Sequence, residues 1–350
     1  MAYCGERITI FDNPTPGAAI KTLIEEAMPQ LYPIAPNGNP AWSIAWGPAV
    51  YTIPGAILQD HMMYAVRNND DPNQIVVAIR GTNGMSEVDW LLGDLAVEQM
   101  VPWPPGAVSE GIGGAISEST SIDLQRLLAM TSSLDGVSSL LEFLTNAISG
   151  TSGTSFVTVT GHSKGGVMSS TMALYLKQVQ QTWDPAGAAV VSNVSFAGPT
   201  AGDAAFAAYS DSQFASPSVS PPGWDASLGS NMDACRNSLD VATLAWTATN
   251  FDKIVTIYSP TIKMGWGWSF VKDGAQSGLM AVLGKQDFTQ VELSQAPMTG
   301  ALSGEHKTGF FTGLEASLKA FAAEGGFQHH AYPAMLGVPK AGDPAVIKLT

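Results

Sequence analysis

The sequence has too few cysteines and too little positive charge for several classes of protein. Cys4 and Cys235 are the only cysteines in 350 residues. They cannot build a disulfide framework or, by themselves, a zinc site, and they are either two free thiols or one bridge. Only 13% of the residues are charged, and 16 Lys and Arg stand against 30 Asp and Glu. The resulting net charge of −14 disfavours nucleic acid and anionic membrane surfaces as partners.

Long hydrophobic runs are also missing. No stretch of about 18 uncharged apolar residues predicts a transmembrane helix. The first residues, MAYCGERITIFDN, lack the basic segment and apolar core of a signal peptide. With 45% hydrophobic residues, 36 glycines and 22 prolines, the composition is typical of a loop-rich globular chain. Because no composition change forces a boundary, we expect a single domain over residues 1–350.

The most informative stretch is Gly-His-Ser-Lys-Gly at residues 161–165. An apolar, β-branched run precedes it and a helix-forming run follows it, which predicts a strand, a sharp turn and a helix. Gly-x-Ser-x-Gly in that setting is a nucleophile elbow, so we predict Ser163 as the nucleophile. The backbone N–H of Lys164 then lies at a helix start, where it can bind an oxyanion. The alternative is a Gly- and Ser-rich connection without chemistry.

A serine nucleophile needs a base, and the base needs an orienting carboxylate. The chain has five histidines, and His329 and His330 follow the last predicted helix. The chain order serine, acid, histidine places the base there. The same order asks for an acid at the end of a strand, and Asp252 follows a strand predicted over residues 241–249. Asp203 is the competitor, but its position favours a helix N-cap.

The remaining pattern predicts an α/β fold. We expect the first 50 residues to wrap around the domain, with one short helix, and residues 210–237 to form a long loop or insertion. The predicted strands are 61–67 and 75–80, joined as a hairpin, then 156–159 and 189–196; the predicted helices are 18–28, 117–130, 136–148, 168–176 and 310–323. Strands that alternate with helices imply a mainly parallel sheet with helices on both faces.

Four blocks of the sequence carry a resemblance to a known family. In chain order they are IVVAIRGTNGMSEVDWLLGDL, VTVTGHSKGG, VSFAGPTAGD and NFDKIVTIY. They resemble the class 3 lipase family of α/β-hydrolases, the group of the filamentous-fungal triacylglycerol lipases, over residues 74–258 plus the late histidine. The resemblance implies an α/β-hydrolase fold, a lipid ester substrate met at an oil–water interface, and secretion. Acyl transfer of this kind needs no metal or organic cofactor.

The resemblance also implies roles for individual residues. It makes Thr82, after Arg-Gly, a second member of the oxyanion hole, and residues 83–97 the lid. The apolar face of this lid, which we expect to meet the substrate, carries Trp90, Leu91, Leu92 and Leu95. An Asn-x-Asp-x-Val-like block holds the acid in the family, which again indicates Asp252. An aromatic residue three positions after the catalytic histidine, here Tyr332, selects His329, while a longer spacing found in other members keeps His330 as an alternative.

The departures from the family bear on substrate preference. Lys164 stands where these lipases usually have Leu, and a cation beside the nucleophile can change which esters are accepted. Segments 210–237 and 263–302 are insertions without a counterpart. The alternatives to a triacylglycerol lipase are an esterase or phospholipase of the same fold and a non-catalytic homologue. The intact set of Ser163, Asp252, a late histidine and Arg-Gly-Thr argues against the non-catalytic alternative.

Overall fold

The computed structural model describes residues 16–31, 40–52, 61–81, 99–104, 114–132, 138–247, 250–259, 261–262, 288–292, 295–304 and 314–336. Its strands are β1 (Trp42–Tyr51), β2 (His61–Asn68), β3 (Gln74–Ile79), β4 (Met100–Pro102), β5 (Ala115–Ser117), β6 (Thr131–Ser132), β7 (Ser138–Ser139), β8 (Ser155–His162), β9 (Ala189–Phe196), β10 (Gly202–Asp203), β11 (Met232–Cys235) and β12 (Phe288–Thr289). Its α-helices are α1 (Pro16–Leu31), α2 (Glu118–Ala129), α3 (Leu140–Ser149), α4 (Lys164–Gln178), α5 (Gln180–Trp183), α6 (Ala204–Phe214), α7 (Phe251–Thr256), α8 (Leu314–His329) and α9 (Tyr332–Met335). Two 3-10 helices cover Ala226–Leu228 and Val241–Leu244.

The main sheet has six strands in the order β1-β2-β3-β8-β9-β11. The pairs β3–β8, β8–β9 and β9–β11 are parallel, while β1–β2 and β2–β3 are antiparallel. The predicted hairpin of residues 61–67 and 75–80 is therefore confirmed, and the mainly parallel sheet is too. This architecture is that of an α/β-hydrolase. No helix in the described part of the chain is long and apolar enough to cross a membrane.

Strand β2 shows how the sheet buries both of its faces. Met62, Tyr64 and Val66 pack into one apolar cluster with Ile20 and Ile24 of α1. The alternate residues of β2, Met63 and Ala65, pack into a second cluster that contains core residues of α2, α3 and α4. Since side chains alternate between the faces of a strand, helices must cover the sheet on both sides.

The expectation that the first 50 residues only wrap around the domain is wrong, because β1 lies at an edge of the main sheet. Its sequence, WSIAWGPAVY, contains Gly47 and Pro48, which predict a turn. The strand accommodates them through register shifts between Ile44 and Trp46 and between Trp46 and Ala49. An edge strand tolerates proline because half of its N–H groups need no ladder partner.

Two more predictions in the second half of the chain are wrong. Residues 210–237 are not simply an insertion, since they hold β11, the strand that pairs in parallel with β9. Residues 241–249 are not a strand, since Val241–Leu244 form a 3-10 helix. The last predicted helix, 310–323, ends later than expected, at His329. Cys235, at the end of β11, is a free thiol.

The turn between β8 and α4 is packed too tightly for side chains at its glycines. A Cβ on Gly161 would lie 2.8 Å from the carbonyl oxygen of Ile79, and one on Gly165 would lie 2.9 Å from the carbonyl carbon of Arg80. A Cβ on Gly166 would lie 2.5 Å from the carbonyl oxygen of Phe196. These neighbours are backbone atoms of β3, β9 and the residue after β3. Only glycine therefore lets β8, α4 and the two flanking strands approach this closely.

We expect Gly165→Ala to lower the free energy of unfolding by at least about 2 kcal/mol, because its methyl group overlaps backbone that cannot move alone. Urea unfolding followed by circular dichroism measures this loss. Gly150→Ala is the matched control, since the nearest atom to its Cβ is 3.7 Å away. The control should stay within about 0.5 kcal/mol of the native protein. Equal stability of the two variants would contradict the close approach.

Candidate active site

Ser163 occupies a strained turn between β8 and α4. Its backbone has φ 57° and ψ −125°, a conformation that residues with a side chain rarely adopt. Its N–H donates to the carbonyl oxygen of Phe196 at 3.0 Å, and its own carbonyl accepts from the N–H of Gly166 at 2.8 Å. The residue is 3% exposed. Both sides of the turn are thus held by backbone hydrogen bonds, and the strain at Ser163 persists because its surroundings are fixed.

A histidine and a carboxylate meet close to this turn. Nδ1 of His329 lies 3.1 Å from each carboxylate oxygen of Asp240. Asp240 is fully buried, and His329 is 6% exposed. Since a carboxylate only accepts, Nδ1 carries the proton of this contact, and Nε2 is the nitrogen left to accept a proton when the ring is neutral. The pair has the arrangement of a base and its orienting acid.

Asp240 has two further donors. The hydroxyl of Tyr332 donates to its Oδ2 at 2.8 Å, and the N–H of Ala242 donates to its Oδ1 at 2.9 Å. Burial alone raises the pKa of Asp240, but the charge and hydrogen bond of His329 and the donors from Tyr332 and Ala242 outweigh it and hold that pKa below its ordinary value. Asp240 is therefore held as a carboxylate.

His162, the last residue of β8, connects the serine turn to the histidine. Its Nε2 lies 2.7 Å from the backbone carbonyl oxygen of His329, so Nε2 of His162 carries a proton and donates. The ring centroids of His162 and His329 lie 4.4 Å apart, and those of His162 and His330 lie 5.1 Å apart. The residue before Ser163 thus contacts the residue that carries the candidate base.

A second set of hydrogen bonds joins the end of α8 to the loop after β11. The N–H of Asn237 donates to the hydroxyl of Tyr332 at 2.9 Å, and its side-chain amide donates to Gln328 at 2.9 Å and 3.0 Å. Gln328 in turn donates to Glu324 at 2.8 Å. Asn237 and Gln328 are both almost fully buried. This network fixes the segment that carries Asp240 against the helix that carries His329.

The carboxylate that contacts His329 is that of Asp240, whereas the prediction named Asp252. The strand expected before Asp252 does not exist, and Asp252 lies in α7, in a part of that helix where only the backbone is described. The strand that the acid follows is β11, and Asp240 stands five residues after its end. Asp203 is a helix N-cap as predicted, because its side chain accepts from the N–H of Phe206 at 2.8 Å.

The other predicted site residues divide into two groups. Lys164 is the first residue of α4, as predicted, and its Nζ lies 3.0 Å from Oδ2 of Asp123. The remaining predicted positions lie outside the described residues: Thr82, the segment 83–97, Trp90, Leu91, Leu92 and Leu95. Among the described residues, no group of three or more His, Cys, Asp and Glu is arranged to hold a metal ion.

Sequence reasoning missed Asp240 and Asp123. Strand β11 has only four residues, MDAC, and follows a segment rich in Ser, Pro and Gly, so its pattern is too short to stand out. The signal that could have found Asp240 is Asp-Val-Ala-Thr at residues 240–243, a helix N-cap pattern just before Val241–Leu244. Asp123 gave no signal, since an aspartate within a predicted helix is most often a surface residue.

We expect Tyr332→Phe to reduce stability in a pH-dependent way. The variant loses a donor to an ionised carboxylate, which is worth about 1.5–3 kcal/mol. The pKa of Asp240 is lowered in the folded protein, so its ionisation stabilises the fold above the unfolded pKa of about 3.9, and this contribution is lost as pH falls through the folded pKa. Without Tyr332 the folded pKa rises towards the unfolded one. The difference between variant and native protein should therefore be largest at pH 7 and smaller at pH 3.

Urea unfolding at both pH values measures this difference. Tyr209→Phe is the matched control, because the Tyr209 hydroxyl accepts from the amide of Gln178 at 2.8 Å. The loss of unfolding free energy in Tyr209→Phe should be the same at pH 7 and pH 3. If Tyr332→Phe also gives a pH-independent loss, its hydroxyl does not stabilise the carboxylate form of Asp240.

Comparison with known proteins shows that this chain is similar to lipases. The family model described as "Lipase (class 3)" matches residues 76–220. The crystal structure of M37 lipase superimposes with a TM-score of 0.76 at 29% identity, covering 96% of this chain and 91% of that one. Two other lipases are more distant. Lipase II from Rhizopus niveus has a TM-score of 0.40 at 17% identity, covering 64% of this chain and 63% of that one. Yarrowia lipolytica LIP2 lipase has a TM-score of 0.42 at 16% identity, covering 68% of this chain and 77% of that one. A comparison with curated protein sequences gave no significant match. The family match over residues 76–220 and the similarity to M37 lipase, together with the mainly parallel sheet and its serine turn, support the class 3 lipase family for this chain.

Proposed function

We propose that this protein hydrolyses lipid esters through a covalent acyl-enzyme, with Ser163 as nucleophile, His329 as base and Asp240 as the orienting acid. The match to the class 3 lipase model over residues 76–220 and the similarity to M37 lipase support lipid ester hydrolysis. The observation that carries the assignment of residues is the contact of His329 Nδ1 with both oxygens of Asp240, next to the end of the strand that leads into Ser163. The chain order serine, acid, histidine fits the α/β-hydrolase pattern.

The protonation pattern suits proton transfer from serine. Asp240 accepts the Nδ1 proton of His329, which leaves the Nε2 lone pair as the base. When Nε2 takes the serine proton, the ring becomes a cation, and the buried carboxylate stabilises it at a distance of 3.1 Å. Because the pKa of Asp240 is held low by its donors, Asp240 keeps its negative charge through this step.

The reaction then proceeds in two halves. The Ser163 hydroxyl oxygen attacks the ester carbonyl carbon, and its proton passes to His329. The tetrahedral intermediate collapses, the C–O bond to the alcohol breaks, and His329 gives its proton to the leaving alkoxide. Water then attacks the acyl-serine with His329 again as base, and the acid and free Ser163 are released.

The negative oxygen of each tetrahedral intermediate needs donors. We assign these to the backbone N–H of Lys164, at the positive end of α4, and to Thr82 through the family resemblance. Each donor is worth about 3 kcal/mol in the transition state. The lid role of residues 83–97, with Trp90 among its apolar residues, rests on the same resemblance. An apolar lid face stable only against lipid would couple opening to an oil–water interface.

A fluorophosphonate labelling experiment tests the proposal. The probe should phosphonylate the native protein at Ser163, identified by peptide mapping, and Ser163→Ala should take up no probe. Ser170→Ala is the control. Ser170 is a buried serine of α4 that donates to the carbonyl oxygen of Val167, and its replacement should leave labelling intact. Labelling at another residue, or none in the folded native protein, would reject the serine mechanism.

We expect the acid and the base to be separated by two pairs of variants. Asp240→Asn should lower kcat on a short-chain nitrophenyl ester by about 10⁴, because the neutral side chain no longer fixes the tautomer or stabilises the imidazolium. Asp252→Asn should change kcat by less than about threefold, in the range of changes away from the chemistry.

The second pair compares the adjacent histidines. His329→Ala should abolish turnover, while His330→Ala should keep most of it, since His329 is the one whose imidazole is seen to contact Asp240. Circular dichroism of each variant confirms that the fold is intact. A large loss for Asp252→Asn or His330→Ala, with near-normal activity of its counterpart, would reassign the role.

A further inference from the structure

A small polar cavity lies beside the first turns of α4. It has a volume of about 40 Å³, and its lining includes Lys164, Asp123 and the hydroxyl-bearing residues Ser117, Ser119 and Thr120 at the start of α2. A site needs about 10–15 Å³ on this measure to hold one water molecule. The cavity therefore has room for more than one water molecule, or for one small polar group.

Lys164 links this cavity to the nucleophile. Its backbone follows Ser163 and supplies the proposed oxyanion donor, while its side chain lines the cavity. Met168 and Trp246 add two apolar surfaces. The cavity therefore includes the side chain of the residue that directly follows Ser163.

The charge of Lys164 is balanced within the cavity. Its Nζ lies 3.0 Å from Oδ2 of Asp123, and each of the two side chains is 13% exposed. The other oxygen, Oδ1, faces His61 Nε2 at 3.0 Å and Arg126 Nη1 at 3.1 Å, and neither of these residues lines the cavity. Burial alone raises the pKa of Asp123. The hydrogen bond from His61 and the charge of Lys164 outweigh this effect and hold the pKa below its ordinary value, so Asp123 is a carboxylate. The cavity therefore presents one cation and one anion in contact.

The chemistry of the walls restricts the ligand. An acyl chain would remove water from the Lys164–Asp123 ion pair and from the hydroxyls without offering them a hydrogen bond, which is unfavourable. An anionic group would face Asp123 and would have to compete with it for Lys164. A neutral hydroxyl can donate to Asp123 and accept from Lys164 or from a serine hydroxyl.

Resting on the proposed ester hydrolysis, we propose that this cavity binds a neutral, hydroxyl-bearing alcohol portion of the substrate, and that Asp123 is the residue that excludes anionic alcohols. The polar walls assign the cavity to the alcohol and not to the acyl chain. Glycerol esters with a free hydroxyl are then favoured over esters whose alcohol carries a carboxylate or phosphate.

Three water-soluble butyrate esters of similar size test the proposal: 2-hydroxyethyl, propyl and carboxymethyl butyrate. In the native protein kcat/KM should be about tenfold higher for the hydroxyethyl than for the propyl ester, the value of one hydrogen bond, and lowest for the carboxymethyl ester. In Asp123→Asn the ratio of carboxymethyl to hydroxyethyl rates should rise by at least about tenfold, because Lys164 loses its counter-charge. The double variant Asp123→Asn/Lys164→Gln should bring this ratio back to within about threefold of the native one, because no charge is left uncompensated.

Arg126→Gln is the matched control. It removes a cation that contacts Asp123 from outside the cavity, and the ratio should change by less than about threefold. If Asp123→Asn folds and its ratio of carboxymethyl to hydroxyethyl ester rates does not rise, Asp123 does not exclude anionic alcohols. If that variant does not fold, equal kcat/KM of the native protein for the hydroxyethyl and propyl esters overturns the cavity assignment. Retained fluorophosphonate labelling in either case separates this failure from a failure of the proposed function.

Discussion

The structure depends on the close approach of β8, α4 and β3 at the serine turn. No side chain fits at Gly161 or Gly165, because the backbone of Ile79 and Arg80 already occupies that space. The approach forces Ser163 into its positive φ and places it at the start of a helix whose first N–H groups have no helical acceptor. The backbone strain at Ser163 and its place before a helix N-terminus are thus produced by one packing constraint. A sharp turn between a strand and a helix is what lifts the serine out of the regular backbone pattern.

The same turn also fixes where the base can lie. His162 ends β8 and donates to the carbonyl oxygen of His329, so the last turn of α8 is attached to the strand that leads into the serine. Asp240 contacts the same helix through His329 and contacts α9 through Tyr332, and Asn237 binds both Tyr332 and Gln328. Each of these polar groups is buried, and each has a partner, which is the condition under which a buried polar network fixes a geometry instead of weakening the core. The position of His329 relative to the serine turn is therefore set by hydrogen bonds and not by the loop alone.

The elements with long or strongly patterned sequences were predictable, and the short ones were not. The serine turn, the hairpin of β2 and β3, and strand β9 stand out because β-branched runs end at Gly or Asn clusters. Strand β1 contains Gly47-Pro48, and β11 has only four residues, so the local sequence pattern predicted neither edge strand. Both strands are stabilised by pairing with a neighbouring strand, which the local sequence does not reveal. The prediction of Asp252 depended on a strand over residues 241–249, but the strand that forms is β11, and the carboxylate that contacts His329 is five residues after its end. Gly325 and Gly326 predict a helix end, yet α8 continues to His329, where Gln328 and the His329 carbonyl are held by Asn237 and His162. Tertiary contacts thus overrode helix propensity at the base itself.

Lys164 shows how a departure from the family pattern is compensated within the fold. A buried ammonium next to the nucleophile would bind any anion strongly if it were unpaired, including the carboxylic acid that ester hydrolysis releases. Asp123, held from its other side by His61 and Arg126, removes this tendency by occupying Lys164. The net charge of −14 acts in the same direction at long range, since it repels anionic substrates and anionic surfaces. The local ion pair and the overall charge therefore both disfavour an anionic ligand beside Lys164.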